Sequence, residues 1–125
     1  MTNGDPLAFW TWVDAWVLAA TPQGSQGSNL SDLVGAMDAL NHAIPTRGEL
    51  AGALGKLIAS GFIESEDERF RLSEAGAAVR RDTGERDADW ADAILPSLAK
   101  SPCIGDEWPL TQAQVSAAYA EYMAR

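Results

Sequence analysis

The sequence predicts a mainly α-helical domain that contains one small β-hairpin and has helical extensions at both ends. Most segments space their apolar residues three or four positions apart, which is the helical repeat. After Gly61 the pattern changes, and charged and apolar residues alternate over 69–72 as they do in a half-buried strand. Of the 125 residues, 46% are hydrophobic, so we expect a single domain over 1–125 with its own core.

The first predicted helix, over residues 5–21, is rich in aromatic residues. Asp5 and Pro6 are typical of a helix N-cap and first helical position. The apolar residues that follow fall on nearly every side of a helix: Phe9, Trp10, Trp12, Val13, Trp16, Val17, Leu18 and Ala20. Such a helix must be covered on several sides. We therefore expect it either at the centre of the core or shared with a second copy of the chain.

Two further helices follow a polar loop. The second is predicted to be capped by Ser31 and to end before Pro45. Thr46 and Glu49 have the T-x-x-E spacing of a capping box, which predicts the start of a third helix. Gly61 is expected to end that helix.

A hairpin is predicted next. Its first strand opens at Phe62, acidic residues 66–68 form the turn, and the second strand covers 69–72. Within the second strand, Phe70 and Leu72 are expected to face inward, because they alternate with Arg69 and Arg71.

The rest of the chain is predicted to be helical around one polar linker. A helix starts at Ser73, and the linker covers 82–87. The C-terminal extension, 87–125, contains two helical segments, one of them interrupted by Pro96. The last begins at a second capping box, formed by Thr111 and Gln114.

Residues 30–81 resemble the winged-helix domains of bacterial regulators of the MarR and PadR type. The likeness is carried by ELAGALGKLIASGFIE, a leucine-patterned helix that runs into a glycine and a wing, and by FRLSEAG. In those families the second wing strand commonly ends in Leu-Ser/Thr-x-x-Gly, which is 72–76 here. The resemblance implies a transcriptional regulator whose third helix enters the major groove of DNA. Winged helices also serve as protein-interaction modules.

The third helix departs from that pattern on the side opposite its leucines. This side carries only small residues, namely Gly48, Gly52, Gly55 and Ala59. With the leucines turned inward, these residues would face DNA, but small side chains cannot read base edges. The stripe favours one of three alternatives: close approach by a partner helix, the chain's own C-terminal helix or a second subunit; an exposed face with no task; or bare contact with DNA.

Four cations are the candidate DNA contacts: Arg47, Lys56, Arg69 and Arg71. The formal net charge of −9 disfavours DNA binding, because affinity for DNA comes from cations that neutralise phosphates. The acidic turn, 66–68, lies where a wing would approach phosphates. The leading interpretation, which follows the resemblance, is a winged-helix regulator or regulator-like protein for which DNA binding is one expected function. The alternative is an acidic winged-helix protein-interaction module without DNA binding.

Catalytic and metal-binding patterns are weak. Cys103 and His42 are the only residues of their types, so an intrachain disulfide cannot form and a structural zinc site is not expected. Asp38 could pair with His42 one helical turn away, but no nucleophile adjoins them. We predict neither an enzyme nor a cofactor.

Five tryptophans offer a further alternative. They are Trp10, Trp12, Trp16, Trp90 and Trp108. Together they could line a small-molecule pocket, although a role in the core or in an oligomer interface is favoured.

The apolar run 9–20 is too short to span a bilayer and contains Asp14. We expect a cytoplasmic homodimer that does not bind membranes.

Overall fold

The computed structural model describes residues 9–83 and 90–125, and it confirms a mainly α fold with a small hairpin. Asp5, Pro6 and positions 84–87 of the predicted linker lie outside the described residues. The described elements, in chain order, are α1 (Trp12–Ala20), α2 (Leu30–Asn41), α3 (Arg47–Ala59), β1 (Ile63–Glu66), β2 (Arg69–Leu72), α4 (Glu74–Thr83), α5 (Trp90–Leu98) and α6 (Gln112–Met123).

The first helix is central to the core, as its all-round apolar character predicts. It packs against α2, α3 and α5, and its residues 14–18 are buried. It begins later than predicted, because Thr11 is its N-cap and the backbone N–H of Thr11 donates to the Asp14 carboxylate at 2.7 Å. Phe9 therefore precedes the helix, and it is 70% exposed.

The second helix has its N-cap two residues earlier than the sequence predicts. Asn29 is the N-cap, and its side-chain oxygen accepts a hydrogen bond from the Asp32 N–H at 2.8 Å. Ser31 instead lies inside the first turn and is buried. At the other end, His42 takes a left-handed conformation as the C-cap, with φ of 55°.

The third helix begins and ends as predicted. Thr46 and Glu49 form both hydrogen bonds of the capping box, at 2.9 and 3.0 Å. Gly61 follows the helix with φ of 88°, a backbone conformation that favours glycine. The inward orientation of the leucines is confirmed, because Leu50, Leu54 and Leu57 are fully buried.

The hairpin pairs β1 with β2 in antiparallel register, from Ile63 opposite Leu72 to Glu66 opposite Arg69. Its turn has two residues, 67 and 68, and both have positive φ, as a tight hairpin turn requires. Phe70 and Leu72 are buried, as predicted.

The other edge of β2 has one more partner. Ser28 and Phe70 exchange two backbone hydrogen bonds, of 2.7 and 2.8 Å, in an isolated antiparallel bridge. The loop before α2 therefore lies beside the hairpin.

The glycine at the end of the Leu-Ser-x-x-Gly sequence is required by packing. A Cβ at Gly76 would overlap the backbone oxygen of Phe62, and the Gly76 N–H donates to the Ser73 hydroxyl at 3.1 Å. The start of α4 thus lies directly against the start of the hairpin.

The last two helices lie on different sides of the core. α5 packs against α1 and α4 and contains Pro96 within its span, whereas α6 packs against α2. The predicted capping box of Thr111 and Gln114 is present at the start of α6. Residues 101–110, which we call the connector, join α5 to α6 without helix or strand.

Candidate functional site

The connector crosses the side of α3 that would face DNA in a winged-helix reader. The backbone N–H of Trp108 donates to the carbonyl oxygen of Ala51 at 2.9 Å. At the C-cap of α3, the Ser60 hydroxyl accepts a hydrogen bond from the N–H of Ile104 at 3.3 Å. The connector is therefore fixed to α3 at two points along the helix.

The two backbones approach so closely that side chains are excluded between them. A Cβ at Gly55 would overlap the carbonyl oxygen of Asp106 and lie 2.8 Å from the backbone nitrogen of Trp108. From the opposite side, a Cβ at Gly105 would lie 2.7 Å from the Cβ of Ala59. A glycine in the helix thus meets a glycine in the connector.

The expected interaction face is not open along its centre. Gly52 and Gly55 are buried, and only Gly48 and Ala59, at the two ends of the stripe, are exposed. The small residues permit close packing, and at Gly55 the segment that approaches is the connector, which precedes the chain's last helix.

Lys56, one of the four candidate DNA contacts, is buried. Its side chain is 4% exposed, and its Nζ lies 2.7 Å from Oδ2 of Asp14. The same ammonium donates to the backbone oxygen of Phe9 at 2.9 Å. In this position it ties α3 to the start of α1 and cannot reach a phosphate.

Asp14 is the buried partner of that lysine. Burial raises the pKa of the Asp14 carboxyl above its ordinary value of 3.8, and hydrogen bonds from Lys56 and Thr11 oppose the rise. Its Oδ1 atom has no hydrogen-bond partner among the described residues. Because a buried charge without its partner is strongly unfavourable, this pair fixes how α1 and α3 meet.

Arg47 holds the far end of the connector. Its guanidinium donates to the backbone oxygen of Leu110 at 3.3 Å and lies 3.5 Å from the Glu107 carboxylate. This predicted DNA contact therefore joins the first turn of α3 to the segment that covers it.

The two arginines of the hairpin are engaged as well. Arg69 donates to the backbone oxygens of Gln26 and Gly27, at 2.6 and 3.3 Å. Arg71 forms ion pairs with Glu64 at 3.1 Å and with Glu66 at 3.2 Å. Arg71 remains 26% exposed, so it is accessible although its charge is compensated.

The acid of the Asp38–His42 pair has another partner. The Tyr122 hydroxyl donates to the Asp38 carboxylate at 2.7 Å, and this hydrogen bond raises the pKa of Tyr122 above its ordinary value. The bond ties α6 to α2. Because the two residues are 84 positions apart, no local sequence pattern predicts this hydrogen bond.

The tryptophans do not share one pocket. Trp16 donates to the backbone oxygen of Met37 inside the core, and Trp10 donates to that of Ser101, each at 2.9 Å. Trp108 packs edge-to-face on Phe70 and lines a cleft beside the hairpin. The side chain of Trp90 lies outside the described part of the structure.

Two general kinds of binding feature are absent from the described residues. In the described ranges, no group of three or more His, Cys, Asp or Glu side chains could hold a metal ion. No described helix combines the length and the hydropathy needed to cross a membrane. Comparison with protein-family models, with curated proteins and with solved structures finds no match for this chain.

Proposed function

We propose that this protein is an acidic, winged-helix-like protein-interaction module that does not read DNA. The chain order of α1, α2, the capped α3, the two-stranded hairpin and α4 supports the winged-helix assignment, because it is the order on which the resemblance to that class of domain rests. We favour this module over a DNA-reading regulator because the connector covers α3.

The covering of α3 carries the proposal. Every residue from 50 to 57 is buried, since the leucines face the core and the connector lies on the opposite side. A recognition helix must present one open face to the major groove. In this conformation the connector occupies the space that DNA would need.

The charges support the same conclusion. Each of the four candidate cations has a carboxylate or a backbone oxygen as its partner. Contact with DNA would exchange these partners for phosphates in a chain whose net charge is −9. That exchange offers little gain in free energy.

Titration of a fluorescently labelled duplex tests the proposal. At low salt, we expect no saturable rise in anisotropy for the wild type. The DNA-binding regulator is the alternative, and it requires the opposite outcome: binding that weakens steeply with salt and that Arg69→Ala reduces. Arg125→Ala is the matched control, because Arg125 pairs with Asp32 outside the hairpin. Salt-dependent binding that is sensitive to Arg69 and not to Arg125 would overturn the proposal.

The partner we propose is a second copy of the chain. Phe9 and Trp12, at the start of α1, are 70% and 41% exposed, so aromatic surface remains uncovered there. The net charge of −9 opposes association, so burial of this aromatic surface is the driving force that the dimer needs. We expect a dimer by light scattering, weakened by Trp12→Ser and unchanged by Met123→Ser, a control at another exposed apolar residue. A monomer at all concentrations would contradict the homodimer.

A further inference from the structure

A cleft of about 500 Å³ lies beside the hairpin turn, between the start of α2, the end of the connector and α6. This volume is within the range of small-molecule sites in proteins. Its apolar lining comes from Leu30, Phe70, Trp108, Leu110, Ala117 and Ala118. The edge-to-face contact of Phe70 with Trp108, whose ring centroids are 5.9 Å apart, gives the cleft an aromatic wall.

The charged side chains that line the cleft are mostly acidic. Asp67 and Glu68 come from the hairpin turn, and Glu121 comes from α6. Arg69 is the basic residue of the lining, and its guanidinium is hydrogen-bonded to two carbonyl oxygens of the loop before α2. Glu121 is compensated by Arg125, which lies 3.9 Å from its carboxylate and 2.8 Å from that of Asp32. The excess of negative charge at the rim therefore comes from Asp67 and Glu68 in the hairpin turn.

We propose that this cleft binds a small organic cation with an aromatic body. The body would pack on Trp108, which Phe70 supports from behind, and its ammonium group would lie near the carboxylates of Asp67 and Glu68. Cations also interact favourably with the face of an indole ring. The same carboxylates would repel an anion of identical shape, so charge, rather than hydrophobicity alone, sets the specificity.

The ligand would contact two parts of the molecule that are distant in sequence. Trp108 belongs to the connector that covers α3, whereas residues 67–70 belong to the hairpin. Binding would therefore hold the connector against the hairpin and stabilise the covered state of α3. This site does not depend on the proposed protein-interaction function, because it uses neither Phe9 nor Trp12.

A matched set of probes tests the charge requirement by calorimetry. The cation is 2-(1-naphthyl)ethylammonium, the anion is 1-naphthylacetate, and the neutral member is 2-(1-naphthyl)ethanol. We expect the cation to bind at least about tenfold more tightly than the anion, since opposite charges near a protein surface attract and like charges repel. The neutral probe should fall between them. Equal affinity for the cation and the anion would overturn the proposal.

Two alanine variants on α6 locate the site. Ala117 and Ala120 are both exposed, but only Ala117 lines the cleft. We expect Ala117→Trp to fill the cleft and to lower the affinity for the cation about tenfold or more, whereas Ala120→Trp leaves it unchanged. Equal effects of the two variants would place binding elsewhere and contradict the assignment.

Single carboxylate replacements sharpen the test. Glu68→Gln keeps the shape of the rim and is expected to weaken cation binding about threefold, while Glu74→Gln, on α4 outside the cleft, is the control.

In the unmodified protein, the indole N–H resonance of Trp108 should shift on addition of the cation. An unchanged Trp108 resonance at saturation would overturn the proposal without any variant.

Discussion

The two sides of α3 are both buried, but by different means. On one side, Leu50, Leu54 and Leu57 interlock with side chains of the core. On the other side, main chain lies on main chain, because Gly55 and Gly105 bring the connector against the helix. The leucine side is an ordinary core, whereas the glycine side depends on the absence of side chains.

This difference leaves α3 without an open face that carries long side chains. A recognition helix needs side chains that extend outward, and α3 has glycine at the centre of that side instead. Each glycine within a helix costs about 1 kcal/mol relative to alanine. Hydrogen bonds such as that from the Trp108 N–H to Ala51 offset this cost.

The largest expected effect on stability is at the buried ion pair between Lys56 on α3 and Asp14 on α1. Lys56→Met leaves the buried Asp14 carboxylate without its cation and should lower the free energy of unfolding by about 3–5 kcal/mol. Urea unfolding measures the loss. The double variant Asp14→Leu/Lys56→Met is the control, because it removes both charges and should recover most of the stability. A single variant as stable as wild type would contradict a buried pair.

The leucine side is expected to show the next largest effect. Leu54→Ala leaves a cavity in a fully buried region and should cost about 3 kcal/mol in the free energy of unfolding. Ile58→Ala, at a partly buried position on the same helix, should cost less. Urea titrations of both variants test the difference, and equal losses would show that the leucine side is not the tighter core.

Substitutions on the glycine side should change the free energy of unfolding less. A matched control on the same side should change it in the opposite direction. Gly55→Ala places a Cβ against the Asp106 backbone and should destabilise the protein by about 2 kcal/mol. Gly48→Ala meets no atom within 4 Å and should stabilise it by about 0.5–1 kcal/mol through helix propensity. Thermal unfolding of the two variants distinguishes them. Stabilisation by both would mean that the connector does not lie on Gly55.

The smallest expected effect is a change in pH dependence. The pKa of Asp14 is raised in the folded state, so between 3.8 and that raised value the folded protein binds more protons than the unfolded chain. This group's contribution to stability is therefore greatest below 3.8 and declines as the pH rises through the folded-state pKa. Unfolding titrations over this interval should show that decline in wild type, and Asp14→Asn should lack it. Parallel pH profiles for the two proteins would exclude the shift.

Features fixed by neighbouring residues could be predicted from the sequence. The capping boxes at Thr46–Glu49 and Thr111–Gln114, and the glycine after α3, each depend on a few adjacent positions. The predicted N-cap of α2 is wrong because Asn29 and Ser31 are both residue types that favour this position, and only the backbone conformation distinguishes them.

Features made by distant residues could not be predicted in the same way. The connector has no helical or strand periodicity, and it contacts α3 mainly through main-chain atoms, which leave no side-chain pattern. The small-residue stripe indicated close approach but not what approaches. For the buried ion pair, the available signal was a single Asp in an apolar helix and a single Lys among leucines, Asp14 and Lys56.

Amide hydrogen exchange at Trp108 tests the central claim, that the connector of the same chain closes α3. The Trp108 N–H is bonded to Ala51, so we predict protection that approaches that of the Leu54 amide and does not change on dilution of the protein. Exchange of Trp108 at the rate of an unstructured peptide, or protection that disappears on dilution, would contradict the claim.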